Sequence, residues 1–203
     1  IPCVGGNHVG NLHVMDADGK NQRRLCYDQD HNWHPSVLDD GRVMYLRWEY
    51  TAMGHYFSRI LMTMTPDGTG QVSRYGSNSY WPNSLFWPRQ VPGKPSQFIG
   101  IVSGHHGVSK RGHLTLFDSR KGTFEADGVV QRIGKRGKKV EPVVADKLVD
   151  GEYPHYITPF PLGGSAKESG KYFLATGKMN QEDTWGLYLV DIYDNRTLIK
   201  RGD

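Results

Sequence analysis

Cysteine is almost absent from this 203-residue chain: only Cys3 and Cys26 occur. Two cysteines make one disulfide in an oxidising compartment or two thiols in a reducing one, and they leave the compartment open. No Cys-x-x-Cys-His string occurs, so the chain attaches no c-type haem by itself. No apolar run approaches the roughly 18–20 residues of a membrane-spanning helix, which excludes helical membrane insertion. There is no glycine-rich phosphate loop, no nucleophile elbow and no Ser–His–Asp ordering. A self-contained catalytic motif is therefore missing. The chain also lacks an initiating Met, and it reads as a processed product or a piece of something longer.

What is present points to β structure. Glycine contributes 25 residues and proline 11, alongside 11 Tyr and 5 Trp, a balance that suits many short strands and tight turns. Apolar residues at 37% and charged residues at 23% place the chain among globular proteins, and a net charge of +4 names no partner. One pattern recurs four times. Asn11-Leu-His-Val-Met-Asp16 precedes Ala-Asp-Gly-Lys, and Arg59-Ile-Leu-Met-Thr-Met-Thr65 precedes Pro-Asp-Gly-Thr. His113-Leu-Thr-Leu-Phe-Asp118 and Gly186-Leu-Tyr-Leu-Val-Asp191 complete the set. Each copy is an alternating strand, an Asp or Thr, and a turn.

Second hairpins lie between the copies: His34–Leu38 with Arg42–Trp48, Asn83–Trp87 with Gln97–Val102, and Tyr156–Phe160 with Lys171–Ala175. Four short antiparallel strands per unit is the pattern of a β-propeller blade. The expected fold is thus all-β, a propeller fragment of about three and a half four-stranded blades. The half blade spans 1–27, and the full blades span about 28–75, 76–133 and 150–203. A ring needs at least about four blades, so the remaining blades, or companion domains or subunits, are expected as partners.

Turns in such a blade alternate between two ends. One end receives plain turn formers: Asp39–Gly41, Pro66–Gly68, Lys94–Pro95 and Lys121–Gly122. The other receives Cys3, His8, Asp28, Asp30, His31, His34, Arg47, Glu49, His55, Asn78, Tyr80, Trp81, Asn83, His105, His106, Glu152 and His155. From this set Asp30, His31, His34, Arg47, Glu49, His55, Asn83, His105 and His106 are the candidate ligand-facing residues. Imidazole and carboxylate are zinc ligands, while the plainer reading is that these histidines hydrogen-bond loop backbone. Consecutive strand residues point to opposite faces, so His105 and His106 cannot both face one site without distortion. Arg47 and Glu49 share one side of their strand, as an ion pair or as a charged pair offered to a ligand. The basic run Lys135-Arg-Gly-Lys-Lys139 contains no interleaved aromatics, so nucleic acid is not an expected partner.

Several strings go further. Asp28-Gln-Asp-His-Asn-Trp-His-Pro35, Leu46-Arg-Trp-Glu-Tyr50, Gly76-Ser-Asn-Ser-Tyr-Trp-Pro-Asn83, Ser103-Gly-His-His-Gly107 and Glu125-Ala-Asp-Gly-Val-Val-Gln131 resemble the hydrazine synthase alpha-subunit middle-domain family, with its TolB-like repeats. The resemblance spans essentially the whole chain. It implies a periplasmic or secreted bacterial propeller placed beside a domain that carries c-type haems, with zinc near one of them. On that resemblance Cys3, His8, His31 and His34 become candidate zinc ligands, ranked below a disulfide or free thiols for the cysteines, and haem would come only from a domain outside this chain. Three functions follow. The first is a non-catalytic scaffold that binds a ligand or partner within a larger extracytoplasmic protein. The second is a segment of a metal- or haem-dependent redox enzyme. The third is a glycan-binding or glycan-cleaving propeller using Glu49, Asp30 and the aromatics.

Overall fold

The computed structural model describes residues 9–48, 59–108, 110–134 and 140–202. Fourteen strands account for its regular structure. A short hairpin, β1 (His13–Val14) with β2 (Arg23–Arg24), comes first. The first four-stranded sheet contains β3 (Asn32–Val37), β4 (Val43–Trp48), β5 (Arg59–Met64) and β6 (Val72–Tyr75). The second contains β7 (Ser84–Val91), β8 (Lys94–Ser103), β9 (His113–Asp118) and β10 (Val129–Arg132). The third contains β11 (His155–Pro161), β12 (Tyr172–Lys178), β13 (Gly186–Asp191) and β14 (Arg196–Arg201). Pairing within each is antiparallel and follows chain order.

The recurrent Asp or Thr has a local cause. Its side chain bonds groups of the turn that follows and so closes it, and in the third and fourth copies it accepts backbone N–H groups there. Asp118 Oδ1 accepts from Arg120 N at 3.0 Å, and Asp191 Oδ1 accepts from Tyr193 N and Asn195 N at 2.8 and 2.9 Å. In the second copy the Thr65 hydroxyl donates to the Asp67 carboxylate, which also accepts from Thr69 N. Hydrogen bonds from the Arg120 side chain, which donates to Asp118 Oδ2 at 2.7 Å, hold the Asp118 carboxyl well below the usual carboxylate range.

Strand alternation sets the packing. On β4, Met44 and Leu46 enter the main core, while Tyr45 joins a smaller cluster with Leu12, Leu25, Cys26, Met62 and Met64 beneath the hairpin. The first sheet is therefore covered on both sides, by the hairpin and by the second sheet. The main core runs on through Tyr75, Phe98, Phe117, Tyr156 and Phe173. Phe98 and Phe117 stack with centroids 4.9 Å apart, and Tyr75 meets Phe117 edge-on at 5.0 Å. The Tyr75 hydroxyl donates to the Glu125 carbonyl at 2.7 Å and accepts from Gly128 N at 3.1 Å. Burial pushes its pKa up to about 12, so it stays a neutral donor at all ordinary pH.

The expected propeller arc is corrected here. The chain is all-β and its sheets are four-stranded and antiparallel, but they are separate in hydrogen bonding, and none is closed or curled into a propeller-blade arrangement. Packing joins the first sheet to the second through β3, β4 and β5 against β7, and the second to the third through β7, β8 and β9 against β11. Alternation and turn chemistry dictate pairing inside a sheet. They do not encode the angle between sheets, which side-chain packing decides.

A second repeat went unread in the sequence. His34-Pro35, Trp87-Pro88 and Thr158-Pro159 occupy equivalent places in β3, β7 and β11. The residue before each proline has positive φ (50°, 55° and 46°), and the ladder shifts register across each pair. Proline has no N–H to donate, so the strand bulges where it sits. The bulges of β3 and β7 touch: the His34 ring stacks on Trp87 at 3.9 Å, and Ser36 Oγ donates to the Pro88 carbonyl at 3.0 Å.

Candidate functional site

The ends of the first two sheets gather most of the candidate side chains that fall in described regions. His31, Trp33 and Trp48 form a near-parallel set of rings 5.7–5.9 Å apart, and the Arg59 guanidinium lies over Trp33 and Trp48 at 5.5 and 5.0 Å. His105, from the turn between β8 and β9, meets Trp48 edge-on at 5.7 Å and His106 at 4.2 Å. His106 Nδ1 pairs with the Asp146 carboxylate at 2.9 Å. So His31, His105 and His106 belong to one connected cluster. His106 is exposed while His105 is half-buried.

Other candidates are used structurally. Arg47 forms an ion pair with Asp28 at 2.8 Å, and Asp28 also accepts from Asn32 Nδ2 at 2.8 Å. Asp30 is buried. His31 Nδ1 accepts from Gly10 N at 3.0 Å, and His34 Nδ1 accepts from Trp87 N at 3.3 Å. His155 Nε2 sits 3.1 Å from the Val149 carbonyl. Asn83 is fully buried at the head of β7, and neither atom of its carboxamide has a hydrogen-bond partner. Cys3, His8, Glu49 and His55 lie outside the described residues. The turn end is a real gathering as well: Asp39 Oδ2 accepts from Gly93 N at 2.7 Å, and Arg23 donates to the Asp67 carbonyl at 2.8 Å.

The metal-binding expectation is corrected. Among the described residues no three His, Cys, Asp or Glu side chains converge as a metal would require. His31 and His34 each spend Nδ1 on a backbone N–H, and the rings of Trp33 and Phe86 stand between them. The redox alternative built on a metal loses its basis with it. The glycan alternative needs two presented carboxylates, but Asp30 is 6% exposed and Glu49 is outside the described residues. Cys26 is a buried free thiol whose sulfur accepts from Leu12 N at 3.4 Å and Asn32 Nδ2 at 3.2 Å. Burial pushes its pKa up, which keeps it protonated and poorly reactive.

Burial also holds His34 neutral, lowering its pKa from 6.5 to about 4. The unfolded chain therefore takes up this proton first, and stability falls as pH drops from about 6.5 towards 4. It is constant above that window. Two and a half units at about 1.4 kcal/mol each set an upper limit of about 3.5 kcal/mol for this one group. Burial shifts His31 and His155 in the same direction, so they add to the slope. Urea denaturation at pH 7.0 and 4.5 will show a marked loss of stability in the parent sequence. His34→Asn, which removes the titration and tolerates positive φ, will show a clearly smaller loss. Equal losses would remove His34 from this account.

A cluster that sequence reasoning passed over lies between the second sheet and the segment before β11. Arg132 Nη2 lies 2.7 Å from His113 Nε2 and 2.9 Å from Glu152 Oε2. His113 opens β9 and Arg132 closes β10, directly opposite Thr115. The signal was available only in part. Period-two alternation puts His113 and Thr115 on one side of β9, but nothing in the sequence brings Glu152 to them.

Solved structures include a likeness to this fold. The fold resembles part of Kuenenia stuttgartiensis hydrazine synthase, with a TM-score of 0.62 and 12% sequence identity. The match takes in 90% of this chain and 20% of that one, so the chain spans about a fifth of the protein it resembles. No protein-family profile and no curated protein matches the sequence. At this identity the likeness concerns the fold alone. The expected scaffold role, which rested on propeller closure around a histidine-lined face, does not survive the separate sheets. Among the described residues no helix is long and apolar enough to cross a membrane.

Proposed function

We propose that this chain is a non-catalytic β domain of a larger protein, and that it docks edge-to-edge on a companion domain or subunit through β14. One observation carries the reading. All six residues of β14 are exposed, and among the described residues the strand is bonded on one side only, to β13. Such an edge offers a row of N–H and C=O groups to an incoming strand. Leu198 and Ile199 are 41% and 54% exposed on it, with Leu187 beside them on β13, and a shallow groove next to Trp185 adds apolar surface. Arg196, Lys200 and Arg201 give the same edge a positive charge, so the companion strand should be acidic or neutral. Nucleic acid is not the partner of this proposal.

The likeness to a fifth of a longer chain supports a setting inside a larger protein. Membership of the hydrazine synthase alpha-subunit middle-domain family, and with it a periplasmic or secreted setting, is part of the proposal and is supported by the quoted motifs. The 203 residues act in it as one unit. Hydrogen exchange on the parent protein, with this chain alone as reference, tests the docking. The outward amides of β14 should exchange at least tenfold more slowly in the parent. Equal rates in both would sink the idea.

A further inference from the structure

We propose that the Arg132–His113–Glu152 cluster is the head of a binding pocket for a short monocarboxylate, a site separate from the β14 edge. The pocket has a volume of about 110 Å³ and is closed by Trp81, Val102, Val143 and Leu148 on its apolar side. At roughly 30 Å³ per water molecule, that is space for three or four waters, or for an acid of a few carbons.

The polar side is built around one guanidinium. Arg132 is mostly buried, and its Nη2 serves both His113 and Glu152. Among the described residues no other acceptor takes its remaining hydrogens. Because Arg132 donates to His113 Nε2, that nitrogen is the acceptor and the ring proton sits on Nδ1. The Glu152 side chain is 50% exposed, whereas that of His113 is 8% exposed. Glu152 is thus the member that can swing out. A ligand carboxylate entering the pocket takes its place on Arg132, and the alkyl end lies against Trp81 and the valines. Charge is conserved in the exchange, since one carboxylate leaves the guanidinium as another arrives. Exposed Glu141 also lines the pocket and repels a second negative charge. That selects a monoanion over a dicarboxylate or a phosphate.

The test is an NMR titration of the 203-residue protein with sodium propionate, following backbone amides and the Trp81 indole. Saturable shifts confined to the pocket are expected, with a Kd in the low millimolar range for so small a ligand. Succinate should bind at least fivefold more weakly. Arg132→Gln should abolish the shifts. Glu152→Gln should tighten binding at least threefold, because the competing carboxylate is gone. No saturation by 100 mM propionate, or shifts that persist in Arg132→Gln, would overturn the site. If Arg132→Gln fails to fold, Glu152→Gln decides alone: unchanged or weaker binding there counts against the proposal.

Discussion

Gly112→Ala should lower the stability of this domain by 3 kcal/mol or more, and it should do so by parting two sheets. Its φ is ordinary, so the cost is not backbone strain. A Cβ at this position would lie 2.2 Å from the Val102 carbonyl oxygen and 3.3 Å from Val149 Cγ1. The first of these atoms is main chain in the middle of a ladder and cannot rotate away. Gly112 is also a point at which the second sheet is hydrogen-bonded to the third. It forms an isolated bridge with Tyr156, exchanging N–H···O bonds of 3.2 and 2.8 Å. Moving it far enough to seat a methyl group breaks both bonds, at about 1 kcal/mol or more each once the groups are left buried. In a chain of this size each kcal/mol is worth roughly 2–4 °C. The melting temperature should therefore drop by about 6–12 °C. Gly41→Ala is the control, since its φ is +83° but nothing lies within 4 Å. It should cost only about 1 kcal/mol. Equal effects from the two would mean that the bridge carries no weight.

The second large effect is at Phe117. It is fully buried, stacked on Phe98, met edge-on by Tyr75, and 6.3 Å from the Trp81 ring. Truncation to alanine should cost about 3–5 kcal/mol, from lost transfer free energy and a cavity that these rings cannot collapse to fill. Phe117→Leu should recover more than half of the loss. The two substitutions also act on different joints: Phe117 binds β6 and the second sheet together, and Gly112 binds the second sheet to the third. Guanidinium unfolding monitored by Trp fluorescence measures both. If Phe117→Ala costs under 1 kcal/mol, the aromatic cluster does not hold β6 to the second sheet.

Strands and turns were legible in the sequence because their causes are local. Alternation in Arg42–Trp48 or Gly186–Asp191, and an Asp that caps its own turn, need no knowledge of distant residues. The arrangement of the sheets was not legible. A four-strand repeat is compatible with a ring of blades or with separate packed sheets, and only contacts such as Tyr156 to Gly112 choose between them. The candidate site rests on such contacts too. His31, His105 and His106 meet through Trp48, and the blade phasing that groups them in the sequence is not what brings them together. Arg47 reached Asp28, whose pairing depends on how Asn32 and the preceding loop lie. His113 was set aside as the start of a strand. Its neighbours Arg132 and Glu152 come from a sheet edge and a loop far along the chain, and no spacing rule connects them.

The three X–Pro bulges have a consequence for how this protein avoids sticking to itself. β3, β7 and β11 are each the outer strand of their sheet. A proline there removes one donor from the rim, and the left-handed residue before it bends the rim out of line. A foreign strand laid along it would find neither continuous bonding nor a straight template. On the third sheet the opposite rim, β14, has no proline, although its ladder with β13 shifts by one residue at Ile199. That sheet is thus capped on one side and open on the other, so strand addition there has a direction. Fibres need growth at both rims of a repeating unit, whereas a one-sided sheet can accept a single neighbour and stop.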